Sequence, residues 1–321
     1  MQRVYGLPEK RGTYWMSLEC YYYNKHVLIT GGAGFIGSHL AEQLIACGAK
    51  VTILDNFSTG SIENLVSIKS CITLIEGDIK NYTTCLMATH NIDYVFHLAA
   101  FTVVSLSFEK PQECFETNVT GTFNILEASR VNKVKRLVFS SSCAVYGDNE
   151  SVSTEASQCH PGSPYAYSKL IGEQYCQQYA RLFGLNSIAL RYFNVFGERQ
   201  NPQDTYAGVV TKFSSLIKNN QPITIFGNGQ QTRDFVPVSV VIEANMTLAL
   251  LSAQDMQGQA VNIATGRSST IIELFESLRD RFNYAIEPQF APARPGDIIS
   301  SQASCLRYQH LIKKVRACST F

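Results

Sequence analysis

Lys25-His26-Val27-Leu28-Ile29-Thr30-Gly31-Gly32-Ala33-Gly34-Phe35-Ile36-Gly37 is the stretch that decides the fold. Its first six residues make a short β-rich run. Ile36, Leu40 and Leu44 then recur at helical spacing through Ala46. Strand, glycine turn and helix follow in the order that a dinucleotide site requires. Gly31 is expected to make the tight turn, Gly34 to let the backbone approach a pyrophosphate, and Gly37 to let helix and strand pack closely. Phe35 and Ile36 fall in the first helical turn, where free N–H groups and positive potential receive phosphate oxygens. Val51-Thr52-Ile53-Leu54-Asp55 reads as the second strand, ending in an acid 18 residues after Gly37. A carboxylate there accepts from a ribose diol and repels a 2′-phosphate, which favours NAD over NADP. The other reading of Asp55 is a surface-turn aspartate.

Working outward, more strand and helix patterns alternate. Ile72 to Ile79 reads as a strand with an acidic exit at Asp78, and Asp93 to Ala100 as the next, ending Leu98-Ala99-Ala100. Ala99 and Ala100 are small enough to leave room for a cofactor. Val119 to Ser129 has an amphipathic helical pattern, and Arg136 to Ser142 is a buried strand emptying into hydroxyls. Alternation of this kind predicts an α/β fold with a doubly wound parallel sheet. Ligands bind beyond the carboxyl ends of such strands, where Asp55, Asp78, Ala99 and Ser142 fall.

Ser163 to Leu170 reads as the start of a helix, and it contains Tyr165 and Lys169. Side chains four apart share a helix face. A tyrosine with a pKa of about 10 is a poor base at neutral pH. A nearby ammonium favours the phenolate, so Lys169 is expected to pull the Tyr165 pKa down. Such a phenol can take a proton from a hydroxyl while a hydride leaves the same carbon. The same spacing is common on solvated helices, so the pair alone does not decide between the two readings.

Bulk composition excludes several classes. The chain has 321 residues, 45% hydrophobic and 17% charged, with a net charge of +1. That balance gives no electrostatic case for nucleic acid or an anionic membrane. No apolar run approaches the roughly 18 residues of a membrane span, and residues 1–24 lack the apolar centre of a signal peptide. The ten cysteines show no ligand-like spacing, which argues against a metal site and a disulfide framework. They read as reduced thiols of a cytoplasmic protein. His97 and His160 have no partner motif and read as structural. Tyr167 is expected to pack.

Several motifs together carry a resemblance. They are Thr30 to Gly37, Asp55-Asn56-Phe57-Ser58-Thr59-Gly60, Ser140-Ser141-Ser142-Cys143-Ala144-Val145-Tyr146-Gly147, Tyr165-x-x-x-Lys169, Arg191 to Gly197, Ile225 to Phe235, and Arg294-Pro295-Gly296-Asp297. From about residue 25 to 303 the chain resembles the extended short-chain dehydrogenase/reductases, in particular the UDP-glucose and UDP-N-acetylglucosamine 4-epimerases. The resemblance implies a Rossmann domain and a smaller C-terminal α/β domain for a UDP-sugar. It implies an NAD recycled in each turnover and a transient 4-keto sugar. Tyr165 would be the base, Ser142 would bond the 4-oxygen and pass the proton, and Lys169 would hold the nicotinamide ribose and keep Tyr165 acidic. Gly31, Gly34, Phe35, Ile36, Gly37, Asp55, Asn56, Ser58, Thr59, Gly60, Asp78, Ile79, Leu98, Ala99 and Ala100 would line the cofactor. Asn194, Arg233, Arg294 and Asp297 would hold the nucleotide diphosphate and its ribose, with Thr102 and Ser301 at the sugar. No metal is implied. Family members pair as homodimers through a four-helix contact that includes the Tyr165 helix.

The rivals on this scaffold are 4,6-dehydratases and decarboxylases, besides a non-catalytic NAD-binding regulatory relative. Dehydratases carry an Asp-Glu pair where Cys143 and Ala144 stand, and decarboxylases a glutamate in the same stretch. Cys143 and Ala144 cannot eliminate water as general acid and base. A small residue at Ser301 implies room for an N-acetyl group, whereas Thr102 and Val103 depart from the pattern of strictly N-acetyl-preferring members.

The expected boundaries are an N-terminal extension over 1–24, an NAD domain over 25–195 with about 236–265, and a substrate domain over 196–235 and 266–321. The extension is either a packed arm or a disordered leader. The tail after Cys305 reads as ending without the family's final helix.

Overall fold

The computed structural model describes residues 18, 20–149, 151–201, 208–293 and 299–318. Seven strands form one parallel sheet: β1 (His26–Thr30), β2 (Lys50–Asp55), β3 (Ile72–Glu76), β4 (Tyr94–His97), β5 (Arg136–Ser142), β6 (Ser187–Tyr192) and β7 (Ala260–Ile263). Their order is β7-β6-β5-β4-β1-β2-β3. The chain therefore winds outward one way from β1 and then the other way from β4. The crevice where strand order reverses lies between β1 and β4, which pair with Leu28 opposite Val95.

Alternation along each strand sends side chains to two cores. Val27 and Ile29 point to a face shared with Leu40 and Leu44 of α1 (Phe35–Ala46). Leu28 points to the opposite face, with Ile125 of α3 (Gly121–Val131) and Cys176 of α4 (Pro164–Phe183). The short α2 (Tyr82–Ala88) closes that second face through Cys85 and Ala88. Local sequence sets the ends of α4. The Ser163 hydroxyl accepts from the Ala166 N–H at 3.1 Å, Pro164 opens the helix, and Gly184 closes it at φ +70. A cap of this kind contributes about 1 kcal/mol.

A third core is separate in composition. Phe196, Phe213, Ile225, Phe235 and Phe275 pack together between α5 (Val209–Lys218) and α7 (Ile271–Phe282). Short strand pairs border it: Thr224–Phe226 with Gln289–Ala291, and Thr232–Arg233 with Ser269–Thr270. The chain returns from it through α6 (Val238–Leu248), whose Val241 and Ala244 join the first core beside the sheet.

The reading of the C-terminal tail is corrected on two points. Leu306–Cys318 is a helix, α8, so the tail does not stop short of one. Its Tyr308, Leu311, Ile312 and Val315 are buried in the first core, on the sheet rather than in the small core to which 266–321 was assigned. Lys313, Lys314 and Arg316 make its polar face, and Lys314 pairs with Asp255 at 2.5 Å. At the other end, Leu18 and Tyr22 are buried, and the Tyr22 hydroxyl donates to the Met246 carbonyl at 2.7 Å. The described end of the N-terminal extension thus packs as part of the sheet's core.

Candidate active site

The crevice begins at the glycine turn. Gly31 has φ +70, and a Cβ on it would lie 2.7 Å from the Ala99 nitrogen. A Cβ on Gly37 would lie 2.2 Å from the Gly31 carbonyl oxygen. The ends of β1 and β4 can therefore meet only around glycine. Helix α1 starts at Gly34 with no side-chain cap and no acid in its first turn. The amides of Phe35, Ile36 and Gly37 accordingly have no acceptor within the helix. An uncapped N-terminus behind a glycine turn fits a pyrophosphate.

Asp55 stands beside this turn, at the end of β2. Its carboxylate accepts from the Ala33 N–H at 2.8 Å and from the Phe57 N–H at 2.9 Å. Burial pushes its pKa up, against those two hydrogen bonds. It is therefore a buried acid tied to the loop, not a surface-turn aspartate. The Asn56 amide donates to the Asp78 carboxylate at 3.1 Å, which brings the ends of β2 and β3 together. The Ser58 N–H donates in turn to the Asn56 side chain at 3.1 Å, and Ser58, Thr59 and Gly60 complete that loop. Ile79 departs from its expected place: its side chain is buried in the second core, among Leu28, Leu54 and Val95. Leu98, Ala99 and Ala100 are half-buried at the end of β4, and the Ala99 N–H donates to the Thr30 hydroxyl at 3.2 Å.

Ser142, Tyr165 and Lys169 meet at the neighbouring strand end. Ser142 closes β5 near enough to the Tyr165 phenol to favour its ionised form, and its hydroxyl accepts from the Ala144 N–H at 3.2 Å. The Lys169 ammonium donates to the Ser140 carbonyl at 2.8 Å and lies 5.9 Å from the Tyr165 ring centre. The electrostatics differ from expectation. Burial pushes the Tyr165 phenol up to about 12, and the Ser142 hydroxyl only partly opposes this. Burial also lowers Lys169 to about 8. Desolvation is the largest influence on both groups, and the Lys169 ammonium is turned to a carbonyl and not to the phenol.

The surroundings hold this geometry. His97 bridges Thr30 at 2.7 Å and Thr122 at 3.0 Å, and burial with the Lys169 charge lowers it to about 3. It is a neutral structural residue. Asn118 sits in a π-helical turn over Glu116–Thr120 and exchanges hydrogen bonds with the Phe101 backbone at 2.7 and 3.0 Å. Its amide also donates to the Ser168 hydroxyl at 2.9 Å, and Ser168 donates to the Tyr165 carbonyl at 2.7 Å. The Ser107 hydroxyl accepts from the Tyr165 N–H at 3.2 Å. The segment after β4, which carries the exposed Thr102, is thus tied to the first turn of α4. Tyr167 is not a packing residue: it is 58% exposed on the outer side of α4. His160 is also exposed.

On the far wall, the Asn194 amide donates to the Asp234 carbonyl at 3.1 Å, and both Asn194 and Arg233 act on the Cys143 thiol next to Ser142. Burial, the largest influence, pushes that thiol up to about 11. The Ser301 N–H donates to the Thr232 carbonyl at 3.2 Å, one residue from Arg233. Arg294 and Asp297 lie outside the described residues.

Sequence reasoning did not assign a role to the buried polar residues behind Lys169. Glu173 accepts from Arg191 Nε at 2.8 Å and from its Nη2 at 2.6 Å. Arg191 sits within an entirely buried strand, Ser187–Tyr192. A charge inside an apolar strand demands a partner, which was the available signal.

A reversing parallel sheet, an uncapped helix behind a glycine turn, a buried acid after β2 and a Ser-Tyr-Lys cluster at one edge define a dinucleotide-dependent α/β enzyme. Comparison with known proteins agrees. Residues 27–264 match the model of the NAD dependent epimerase/dehydratase family. A putative UDP-glucose 4-epimerase of Methanocaldococcus jannaschii is 39% identical over 276 residues, covering 85% of this chain and 87% of that protein. A UDP-N-acetyl-alpha-D-glucosaminuronate decarboxylase of Bacillus cytotoxicus is 36% identical over 79% of each chain. Among solved structures, the UDP-N-acetylglucosamine 4-epimerase of Methanobrevibacter ruminantium, in complex with UDP-N-acetylmuramic acid, superposes with a TM-score of 0.85 at 36% identity, covering 92% of this chain and 97% of that one. The chain belongs to the NAD dependent epimerase/dehydratase family, and its cofactor is NAD. Among the described residues no helix is long and apolar enough to cross a membrane, and no cluster of three His, Cys, Asp or Glu is placed to hold a metal.

Proposed function

We propose that this protein is a UDP-hexose 4-epimerase that accepts UDP-N-acetylglucosamine and UDP-N-acetylgalactosamine as well as UDP-glucose and UDP-galactose. The observation that carries this reading is the convergence of Ser142, Tyr165 and Lys169 at the β5 end, with Cys143 and Ala144 next to them. NAD, when bound, supplies a hydrogen acceptor and donor for carbon 4 together with a positive charge. Ser142 and Tyr165 hold and move the proton of the 4-oxygen. A phenol pushed up to about 12 rests protonated and is a weak acid, so the positive charge that NAD supplies would favour the phenolate that takes the proton of the 4-hydroxyl. Cys143 is held as a neutral thiol and Ala144 has no polar group, so neither supports loss of water or of a carboxyl group.

The glycine turn, the α1 N-terminus and Asp55 are the proposed NAD contacts, with Asn56, Ser58, Thr59, Gly60 and Asp78 at the adenosine end. Asn194 and Arg233, joined by Arg294 and Asp297, are proposed for the diphosphate and its ribose. An arginine offers a bidentate fork to phosphate oxygens. Thr102 and Ser301 border the sugar. Exposed apolar side chains on and before α3 and along α4, namely Phe115, Phe123, Leu182 and Phe183, support a homodimer through these helices. Sedimentation at micromolar concentration should give twice the chain mass, and a monomer would remove that part of the proposal.

Purified protein mixed with UDP-N-acetylglucosamine, with no cofactor added, should yield the 4-epimer by NMR. Conversion of UDP-glucose alone would refute the Ser301 pocket. No epimer together with no bound NAD would favour the regulatory reading.

A further inference from the structure

Tyr165, Lys169 and Glu173 recur every four residues along one buried stripe of α4. Three successive residues of β5 receive them. Ser142 acts on the Tyr165 phenol, the Ser140 carbonyl accepts from Lys169, and the Ser141 hydroxyl donates to Glu173. Helix and strand approach closely here: a Cβ on Gly172 would lie 2.4 Å from the Phe139 ring. Arg191 of β6 grips the other side of the Glu173 carboxylate and stacks 4.7 Å over the Tyr146 ring, whose hydroxyl donates to Asn262 at 2.6 Å. The reaction assigned above uses Tyr165 and Lys169 and leaves Glu173 without a role.

We propose that Glu173 is a positioning residue: fixed by Ser141 and Arg191, its carboxylate keeps the buried Lys169 ammonium charged and aimed at the end of β5. This rests on the reading of Lys169 as the cation that serves Tyr165 and the cofactor. The groups around Lys169 explain why such a residue is needed. Tyr165 faces it from α4, His97 from β4, Cys114 from the short helix Pro111–Phe115, and the Phe139 ring lies 5.2 Å away on β5. Tyr165, His97 and Cys114 are all held neutral at pH 7 by burial. Among these neighbours Glu173 is the one anion, and Arg191 is the cation behind it. An opposite charge favours the charged form of a buried amine. Burial lowers Lys169 to about 8, and Cys114 and then Glu173, four residues along the same buried stripe, act against that fall.

The test reads Lys169 directly. Protein labelled with 13C at lysine Cε is titrated by NMR, and Lys169→Met identifies the resonance. The wild type should titrate near 8. Glu173→Gln should move the midpoint down by about one unit or more. Because that variant leaves Arg191 unpaired, Glu173→Gln with Arg191→Met is measured beside it, and the midpoint should again be low. An unchanged midpoint in the variants that fold overturns the proposal. So does a double variant that returns to the wild-type midpoint, since the single change would then have acted through Arg191. NAD affinity gives a second readout: in Glu173→Gln it should hold at pH 6.5 and fall at pH 8, with Glu173→Asp restoring it. A lowered midpoint in a protein that epimerises nothing would sink the assigned reaction and leave the role of Glu173 standing.

Discussion

The two halves of the crevice are built by different means. On the β1 side the site is backbone: a turn that only glycine can make, an uncapped helix start, and one acid tied to loop amides. On the β5 side it is side chains: a half-buried Ser142 with the buried Tyr165, Lys169 and Glu173–Arg191 pair. A backbone site breaks when an atom is added to it. A side-chain site breaks when a partner is taken away, because the remaining partner is then buried alone. Substitutions on the two sides should therefore fail differently.

The largest effect is expected on the β5 side. Tyr165→Phe should lower kcat by about 10²- to 10⁴-fold, the range of one general acid–base group. NAD content, read by absorbance after denaturation, should stay near wild type. Near-normal turnover would show that the base is misassigned. Next comes Gly37→Val on the β1 side, which puts a branched side chain where even a Cβ would meet the Gly31 carbonyl at 2.2 Å. Thermal melts should show a loss of about 1–3 kcal/mol from overpacking, and purified protein should carry little NAD. Full retention of the cofactor would mean that the turn is softer than its geometry.

The smallest effect is a pH slope, and it belongs to the seam between the halves. His97 is buried and lowered to about 3, against about 6.5 in an unfolded chain. Its folded pKa is depressed, so the unfolded chain binds the extra proton first. The stability it contributes is present above about pH 6.5 and is lost as pH falls toward 3. His97→Gln has no such titration and should show a shallower decline in denaturation midpoint between pH 6.5 and 4. Parallel curves would place the acid sensitivity elsewhere.

The same contrast explains what could be read from the chain. The β1 side was legible because glycine is demanded by main-chain geometry, and its spacing reports that geometry without knowledge of neighbours. Tyr165 and Lys169 were legible as a pair because four residues make one helical turn. Their electrostatics were not, since desolvation depends on Phe139, Cys114 and His97, which come from three other elements. Arg191 announced a missing partner by its place in an apolar strand, but nothing local pointed to Glu173 on α4. The tail was misread for a simpler reason. Tyr308, Leu311, Ile312 and Val315 keep helical spacing, and the cluster Lys313-Lys314-Val315-Arg316 obscured it by placing the polar face alongside.

The central claim is that hydrogen leaves carbon 4 of a UDP-sugar and returns to it inside the site. The most direct measurement is proton NMR of UDP-N-acetylglucosamine and UDP-glucose incubated with the protein in D2O, without added cofactor. The account predicts the 4-epimer of each, with carbon 4 still carrying its original hydrogen. Deuterium at carbon 4, or a 4-keto-6-deoxy product in place of the epimer, would contradict it.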